Sequence, residues 1–423
     1  MKHVPPKRLA ATIAGVLLAI TLQAIQAGPA SSAERERYSR LVAKTADYLI
    51  AHQQRRPVGV SWVSVTRDGK PQETLDFYSG DAGIAYLLLK AYALRQEPRF
   101  QEAARDGIAF IVSRAKNGNG ELSFDPNSNG LFEGNAGPGY LFLYAYRVTH
   151  EKRYLDLAVS TASYILANPD FRPRSDPDII SGAPGTGLFL LKLFSVTKDR
   201  RYREGAARLG DFLIERAEAQ PRGVKWKVYG SAPELDYYFV GFSHGPAGIG
   251  YYLERLYRQT RRPIYHEYAL MAMDYLESIA IHEKNYVKWY HEELKRNTRY
   301  PSQWCHGTPG IAPFFLVLYS GASDSRNLTG AEEATNYTLD QGLNIRNNPS
   351  VCHGVSGNAA SLMALSRATR LPQYWQATQS GARLLEQSAQ CSTDGCSWRT
   401  ESKTDYSYMT NCGCWRFFCL AHQ

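Results

Sequence analysis

No cysteine precedes Cys305 in this 423-residue chain. The amino-terminal segment therefore offers no thiol for lipid attachment. An excess of one charge is also missing: 49 Lys and Arg stand against 40 Asp and Glu, a formal net charge of +9, or +6 once Lys2, Lys7 and Arg8 are set aside. Charge that mild and dispersed argues against a nucleic-acid face. Arg255, Arg258, Arg261 and Arg262 cluster near one helix end, where cations suit the helix dipole; the cluster reads as a solvated end. Nothing in the composition suggests disorder. With 44% hydrophobic residues and 21% charged residues of both signs, the chain can bury a large core.

The apolar run from Leu9 to Leu22 follows Lys2, Lys7 and Arg8 and ends near Ala27, Ala30 or Ala33. This is the layout of a secretory signal over residues 1–27. The run is only just short of a membrane span, so an uncleaved amino-terminal anchor is the alternative. Either reading makes the chain an exported one, periplasmic or secreted, with a membrane association only if the segment is retained.

A repeat organises the rest. "YSGDAGIAYLLLKAY", "FEGNAGPGYLFLYAY", "ISGAPGTGLFLLKLF", "FSHGPAGIGYYLERLY", "WCHGTPGIAPFFLVLY" and "CHGVSGNAASLMAL" all run from a Gly-x-x-Gly turn into a helix. The first glycines are Gly80, Gly134, Gly182, Gly245, Gly307 and Gly354, between 47 and 63 residues apart, which leaves room for two helices per repeat. Each turn leads into a helix that is apolar nearly all round, such as Leu188 to Phe194, and such helices are buried on several sides. Amphipathic helices lie between them: Tyr38, Leu41, Val42, Tyr48 and Leu49 keep the 3.6 period, as do Phe100, Ala103, Ala104, Ile108 and Ile111. Inner helices alternating with outer ones predict an all-α double ring, an α/α toroid, over residues 35–423. The glycine turns gather at one end of the inner ring. Two loops are longer than the rest: Gln220 to Val240, with "VKWKVY", is expected to form a short hairpin, and Ile281 to Ser302, polar and aromatic, is placed to cover the mouth of the ring.

If the turns converge, so do their side chains. Cys305, Cys352 and His353 occupy equivalent turns of adjacent repeats. Two thiolates and an imidazole suit zinc, and three protein ligands leave a fourth position open, as catalytic sites do. His306 follows Cys305 as His353 follows Cys352 and is a rival ligand. His244 occupies the preceding turn, and Asp178 lies just ahead of the third; both are candidate acid/base groups facing the metal.

"WCHGTPG", "CHGVSG" and "HGPAGIGYYL" resemble the lanthionine synthetase C-like family, the lanthipeptide cyclases and their eukaryotic relatives, over residues 35 to 411. The resemblance implies a toroid of seven inner and seven outer helices with zinc on Cys305, Cys352 and His353, a catalytic histidine at His244 and a catalytic aspartate at Asp178. The implied reaction adds a cysteine thiol to dehydroalanine or dehydrobutyrine in a peptide. The implied partners are a peptide or small thiol substrate and a dehydratase acting beforehand. An exported zinc-dependent hydrolase and a non-catalytic thiol- or peptide-binding barrel are the competing readings. The chain departs from the family in its export signal and in lacking a dehydratase domain.

Seven cysteines is an odd count. Cys391 and Cys396 flank the polar loop "CSTDGC" and are expected to bridge in an oxidising compartment. Cys412, Cys414 and Cys419 crowd a tail that lacks the seventh glycine turn. A seventh outer helix is visible in Tyr374, Ala377, Ala382, Leu384 and Leu385. After Thr410 the text changes character, so the last inner helix reads as truncated, and the tail as one altered by a frameshift or by real divergence.

Overall fold

The computed structural model describes residues 31–65, 71–118, 121–229, 236–292, 300–322, 324–343 and 348–398. Thirteen helices lie in these segments: α1 (Ser32–Ala51), α2 (Asp81–Arg95), α3 (Pro98–Arg114), α4 (Ala136–Thr149), α5 (Lys152–Ala167), α6 (Ala183–Thr197), α7 (Arg200–Glu215), α8 (Pro246–Thr260), α9 (Pro263–Ser278), α10 (Thr308–Ala322), α11 (Ser325–Gln341), α12 (Val355–Thr369) and α13 (Pro372–Ser388). Each even-numbered helix packs against the next even-numbered one and against the odd-numbered helix that follows it in the chain. The result is the expected α/α toroid, with α2 to α12 as the inner ring and α1 to α13 as the outer. Among the described residues no helix is long and apolar enough to cross a membrane.

The two rings differ in burial as the sequence demands. Helix α6 buries every residue from Ala183 to Leu191, because it has neighbours on all sides. Helix α7 buries Tyr202, Gly205, Ala206, Leu209, Phe212 and Leu213, one face at the helical period. The glycines that open the inner helices are needed for close approach. A β-carbon at Gly310 would lie 1.9 Å from the Trp304 carbonyl oxygen, and one at Gly357 2.0 Å from that of Val351.

Short two-stranded hairpins follow several outer helices, and four carry a buried tryptophan. The indole N–H groups of Trp62, Trp226, Trp289 and Trp398 donate to the carbonyls of Leu49, Leu213, Leu276 and Leu385 at 2.7–2.8 Å, each 13 residues back. The indole thus pins the hairpin to the end of its own helix. The last hairpin pairs Cys391 with Cys396 across its strands, and the two are disulfide-bonded, as expected. It packs on α1, and Arg37 on that helix pairs with Glu386 of α13 at 3.0 Å. The outer ring is closed by this contact. A seventh inner helix would follow residue 398, outside the described residues, as do Cys412, Cys414, Cys419, the proposed frameshift and the amino-terminal segment.

One buried carboxyl conflicts with its surroundings. Asp81, at the start of α2 and fully buried, accepts the Trp62 backbone N–H at 2.8 Å. Its other oxygen has no partner among the described residues. Burial outweighs that hydrogen bond and pushes its pKa up to about 8. The folded state therefore holds a proton that the unfolded chain releases near pH 4. Stability from this group is full at low pH and is lost as pH rises toward 8, at up to about 1.4 kcal/mol per pH unit. Asp81→Asn keeps an acceptor for Trp62 and removes the titration. It should be more stable than the native chain at pH 8, with the gap closing as pH falls toward 5. Denaturant melts at both pH values check this, and a pH-independent gap would contradict the assignment.

Candidate active site

The turns are joined by a girdle of backbone hydrogen bonds. Phe77 N–H donates to the Phe132 carbonyl (3.0 Å), Phe132 to Ile180 (3.0 Å), Ile179 to Ser243 (3.0 Å), Ser243 to Cys305 (2.9 Å) and Cys305 to Cys352 (3.3 Å). These bonds fix the residue two places before each first glycine: Tyr78, Phe132, Ile180, Ser243, Cys305 and Cys352. The side chains of six distant segments are thereby brought to one end of the ring, as the repeat predicts.

Cys305, Cys352 and His353 each offer a ligand atom, all within 4.8 Å of one another. Cys352 Sγ stands 3.7 Å from His353 Nε2. The sulfur–nitrogen edge of a tetrahedral zinc site is about 3.5 Å, close to this spacing. The two cysteines are 1% and 3% exposed and are not bonded to each other. Burial pushes the Cys305 thiol well up, and its hydrogen bond to Cys352 adds to this. The same bond holds Cys352 well below the usual thiol range, with help from His353 and the Tyr78 hydroxyl. A thiolate buried among an imidazole, a phenol and a second thiol is a donor set for a cation. His353 is steadied by its own turn, its N–H donating to Ser350 Oγ at 3.1 Å. His306 is not among the three; its ring lies 4.2 Å from that of His291 and 5.4 Å from that of His244.

The structure brings His244 and Asp178 together. Asp178 is 1% exposed and its Oδ2 lies 2.5 Å from His244 Nδ1. Its Oδ1 accepts the Ser181 N–H at 2.8 Å, which fixes the carboxylate. Burial works against a charged His244, but the Asp178 charge and hydrogen bond, together with Cys352 and Asp176, outweigh it and raise the pKa. With Nδ1 facing Asp178, the free ring nitrogen is Nε2.

Residues the sequence reading did not select complete the face. Phe239 and His291 come from the two longer loops, which meet in a bridge between Phe239 and Glu292. The Phe239 ring lies 4.8–5.3 Å from those of His244, His291 and His306. Two acids stand behind His244. Asp176 is pushed up to about 6 by burial and by Asp178, and Glu133 is raised by burial, Asp76 and Asp178. Tyr78 and Glu133 are the first- and second-repeat counterparts of Cys352 and His353, so the turn register already contains their signal. His291 follows no repeat.

A model of the lanthionine synthetase C-like protein family matches residues 71–410. The chain belongs to this family. Its match ends where the sequence changes character, at Thr410. Among solved structures, nisin cyclase superposes with a TM-score of 0.62 at 18% identity, over 92% of this chain and 94% of its own. At that identity the likeness speaks for the toroid alone. Glutathione S-transferase LANCL1 of Danio rerio is 24% identical over 136 residues, 32% of this chain. The match covers 32% of that relative's length. Lanthionine synthetase C-like proteins typically bind zinc, and in this member the matched region contains all five residues selected from the sequence: Asp178, His244, Cys305, Cys352 and His353.

Proposed function

We propose that the chain is a zinc-dependent enzyme that forms thioethers, adding a cysteine thiol to dehydroalanine or dehydrobutyrine in a peptide. The observation that carries this reading is the convergence of a Cys-Cys-His donor set and a buried Asp-His pair on one turn face. Cys305, Cys352 and His353 would hold the ion. Bound there, zinc supplies a Lewis acid with a fourth position for a substrate thiol, whose ionisation it favours. His244, held by Asp178, keeps a proton on Nε2 for delivery. As sulfur bonds to the β-carbon, the carbon-carbon double bond opens and its electrons pass to the α-carbon. That carbon takes the Nε2 proton, and the proton lost by the thiol restores the balance. The rings of Phe239, His291 and His306 pack against one another beside His244.

The reading extends to location. The charged and apolar amino-terminal segment and the Cys391–Cys396 disulfide support export to an oxidising compartment. A peptide carrying both dehydroalanine and cysteine tests the activity, with glutathione plus a cysteine-free dehydroalanine peptide as a second substrate. Thioether formation at unchanged peptide mass, with loss of thiol reactivity, is expected from the first; a glutathione adduct from the second would make the attacking thiol a free small molecule. No thioether from either substrate by the zinc-loaded chain would reject the function. Hydrolysed peptide in their place would favour the hydrolase reading.

A further inference from the structure

Thioether formation moves two protons, one off the thiol and one onto the α-carbon, and His244 accounts for the second. The turn face carries another imidazole with a carboxylate against it. His291 Nδ1 lies 3.0 Å from Glu292 Oε1, as His244 Nδ1 lies 2.5 Å from Asp178 Oδ2. A carboxylate only accepts, so Nδ1 of His291 carries the hydrogen and Nε2 the lone pair of the neutral ring. The pair comes from the 281–302 loop, which is tied to the face by the antiparallel bridge between Phe239 and Glu292. Phe239 also sets the two imidazoles relative to each other. Its ring lies 5.2 Å from that of His244 and 5.3 Å, edge-on at 89°, from that of His291. His306 packs among them, its ring 4.2 Å from His291, 5.4 Å from His244 and 6.5 Å from His353. His291 is thereby held one ring away from the turns that carry the donor set. Its side chain is half-buried and still reaches the surface of the face.

We propose that His291, positioned by Glu292, is the base that takes the proton of the substrate thiol, while His244 serves as the acid. The inference rests on the thioether-forming reading and deepens it. A single imidazole does not fill both roles in one step: the ring that protonates the α-carbon must be charged, and the ring that accepts from the thiol must be neutral. The sulfur–hydrogen bond breaks and its proton passes to His291 Nε2. The sulfur electron pair forms the bond to the β-carbon, the carbon–carbon π pair moves to the α-carbon, and the His244 Nε2 proton completes the product. His291 is then charged and His244 neutral. Exchange of one proton through water resets both, so none is gained or lost, and nothing is oxidised or reduced. Glu292 stabilises the charged His291 ring as Asp178 stabilises that of His244.

Two peptides test this with the full, zinc-loaded chain: one carrying dehydroalanine and cysteine, and the same peptide with selenocysteine in place of cysteine. A selenol is ionised at neutral pH and needs no base, whereas both peptides need the α-carbon proton. Rates are taken after subtraction of the reaction without protein. His291→Phe keeps an aromatic ring against Phe239 and His306. It should slow ring closure of the cysteine peptide by about tenfold or more and leave the selenocysteine peptide within about twofold of the native rate. Its zinc content and unfolding temperature should match those of the native chain. His291→Gln, a second variant without a ring, should show the same selectivity, and Glu292→Gln a smaller version of it. His244→Ala should slow both peptides. His282→Ala, at an exposed histidine earlier in the same loop, should slow neither. Equal slowing of both peptides by the His291 variants would make the residue structural, and no slowing of either would remove it from the reaction. Each of these overturns the proposal while product from the native chain leaves the function standing. No product from the native chain with either peptide would reject the function and this role together.

Discussion

Cys305→Ala and Cys352→Ala are each expected to lower bound zinc from about one ion per chain to less than a tenth of that after dialysis. Three ligands are the fewest that hold zinc firmly in a protein, and removing either thiolate leaves two. The pair is also electrostatically coupled: Cys352 is favoured as a thiolate by its bond to Cys305, so losing Cys305 costs a ligand and the support of the remaining one. Because metal binding and folding are linked, both variants should unfold earlier than the zinc-loaded native chain and match the native chain stripped with a chelator. His306→Ala should retain the ion, since its ring turns toward His291 and His244. Elemental analysis of the purified variants decides the point. Full zinc retention by both cysteine variants would remove this donor set, and loss of zinc on His306→Ala would reassign the third ligand.

Much of this site was readable because the fold is a repeat. Once Gly307 and Gly354 are recognised as openings of equivalent helices, Cys305 and Cys352 must be neighbours, and the bond from Cys305 N–H to the Cys352 carbonyl is the physical form of that equivalence. The same register aligns His244 with His353 and sets Asp178 beside it. What escaped was of two kinds. His291 and Phe239 lie on irregular loops, whose tertiary positions no local period encodes. Arg255, read from the sequence as part of a solvated end, is half-buried on α8, because the helical period alone does not tell which polar residue packs inward. The pinning role of Trp62, Trp226, Trp289 and Trp398 was legible in principle. Each stands 13 residues past a buried leucine of an outer helix, but the contact joins an indole to a helix-end carbonyl, and hydrophobic pattern does not report carbonyls.

His244→Ala is expected to keep zinc and the fold while slowing thioether formation by a factor on the order of 10² or more. The ring is 26% exposed and its hydrogen bond runs to the Asp178 carboxylate, so the loss falls on proton delivery. Asp178 acts through His244 by fixing Nδ1 and stabilising the charged ring. Asp178→Asn keeps the shape and removes the charge, so it should slow the reaction less and shift its pH profile. The sign follows from the raised His244 pKa. A proton donor is competent below its pKa, and the rate falls as pH rises through it. Burial alone would lower that pKa, and Asp178 is the largest effect opposing it. Removing the carboxylate should therefore move the falling limb of the rate to lower pH, whereas a merely structural defect would scale the whole profile without moving it. Rates of thioether formation between pH 5 and 9 on the native chain and both variants separate these outcomes. An unchanged rate in His244→Ala with a competent substrate would assign the proton to another group, with His291 and Glu133 the next to substitute on the same face.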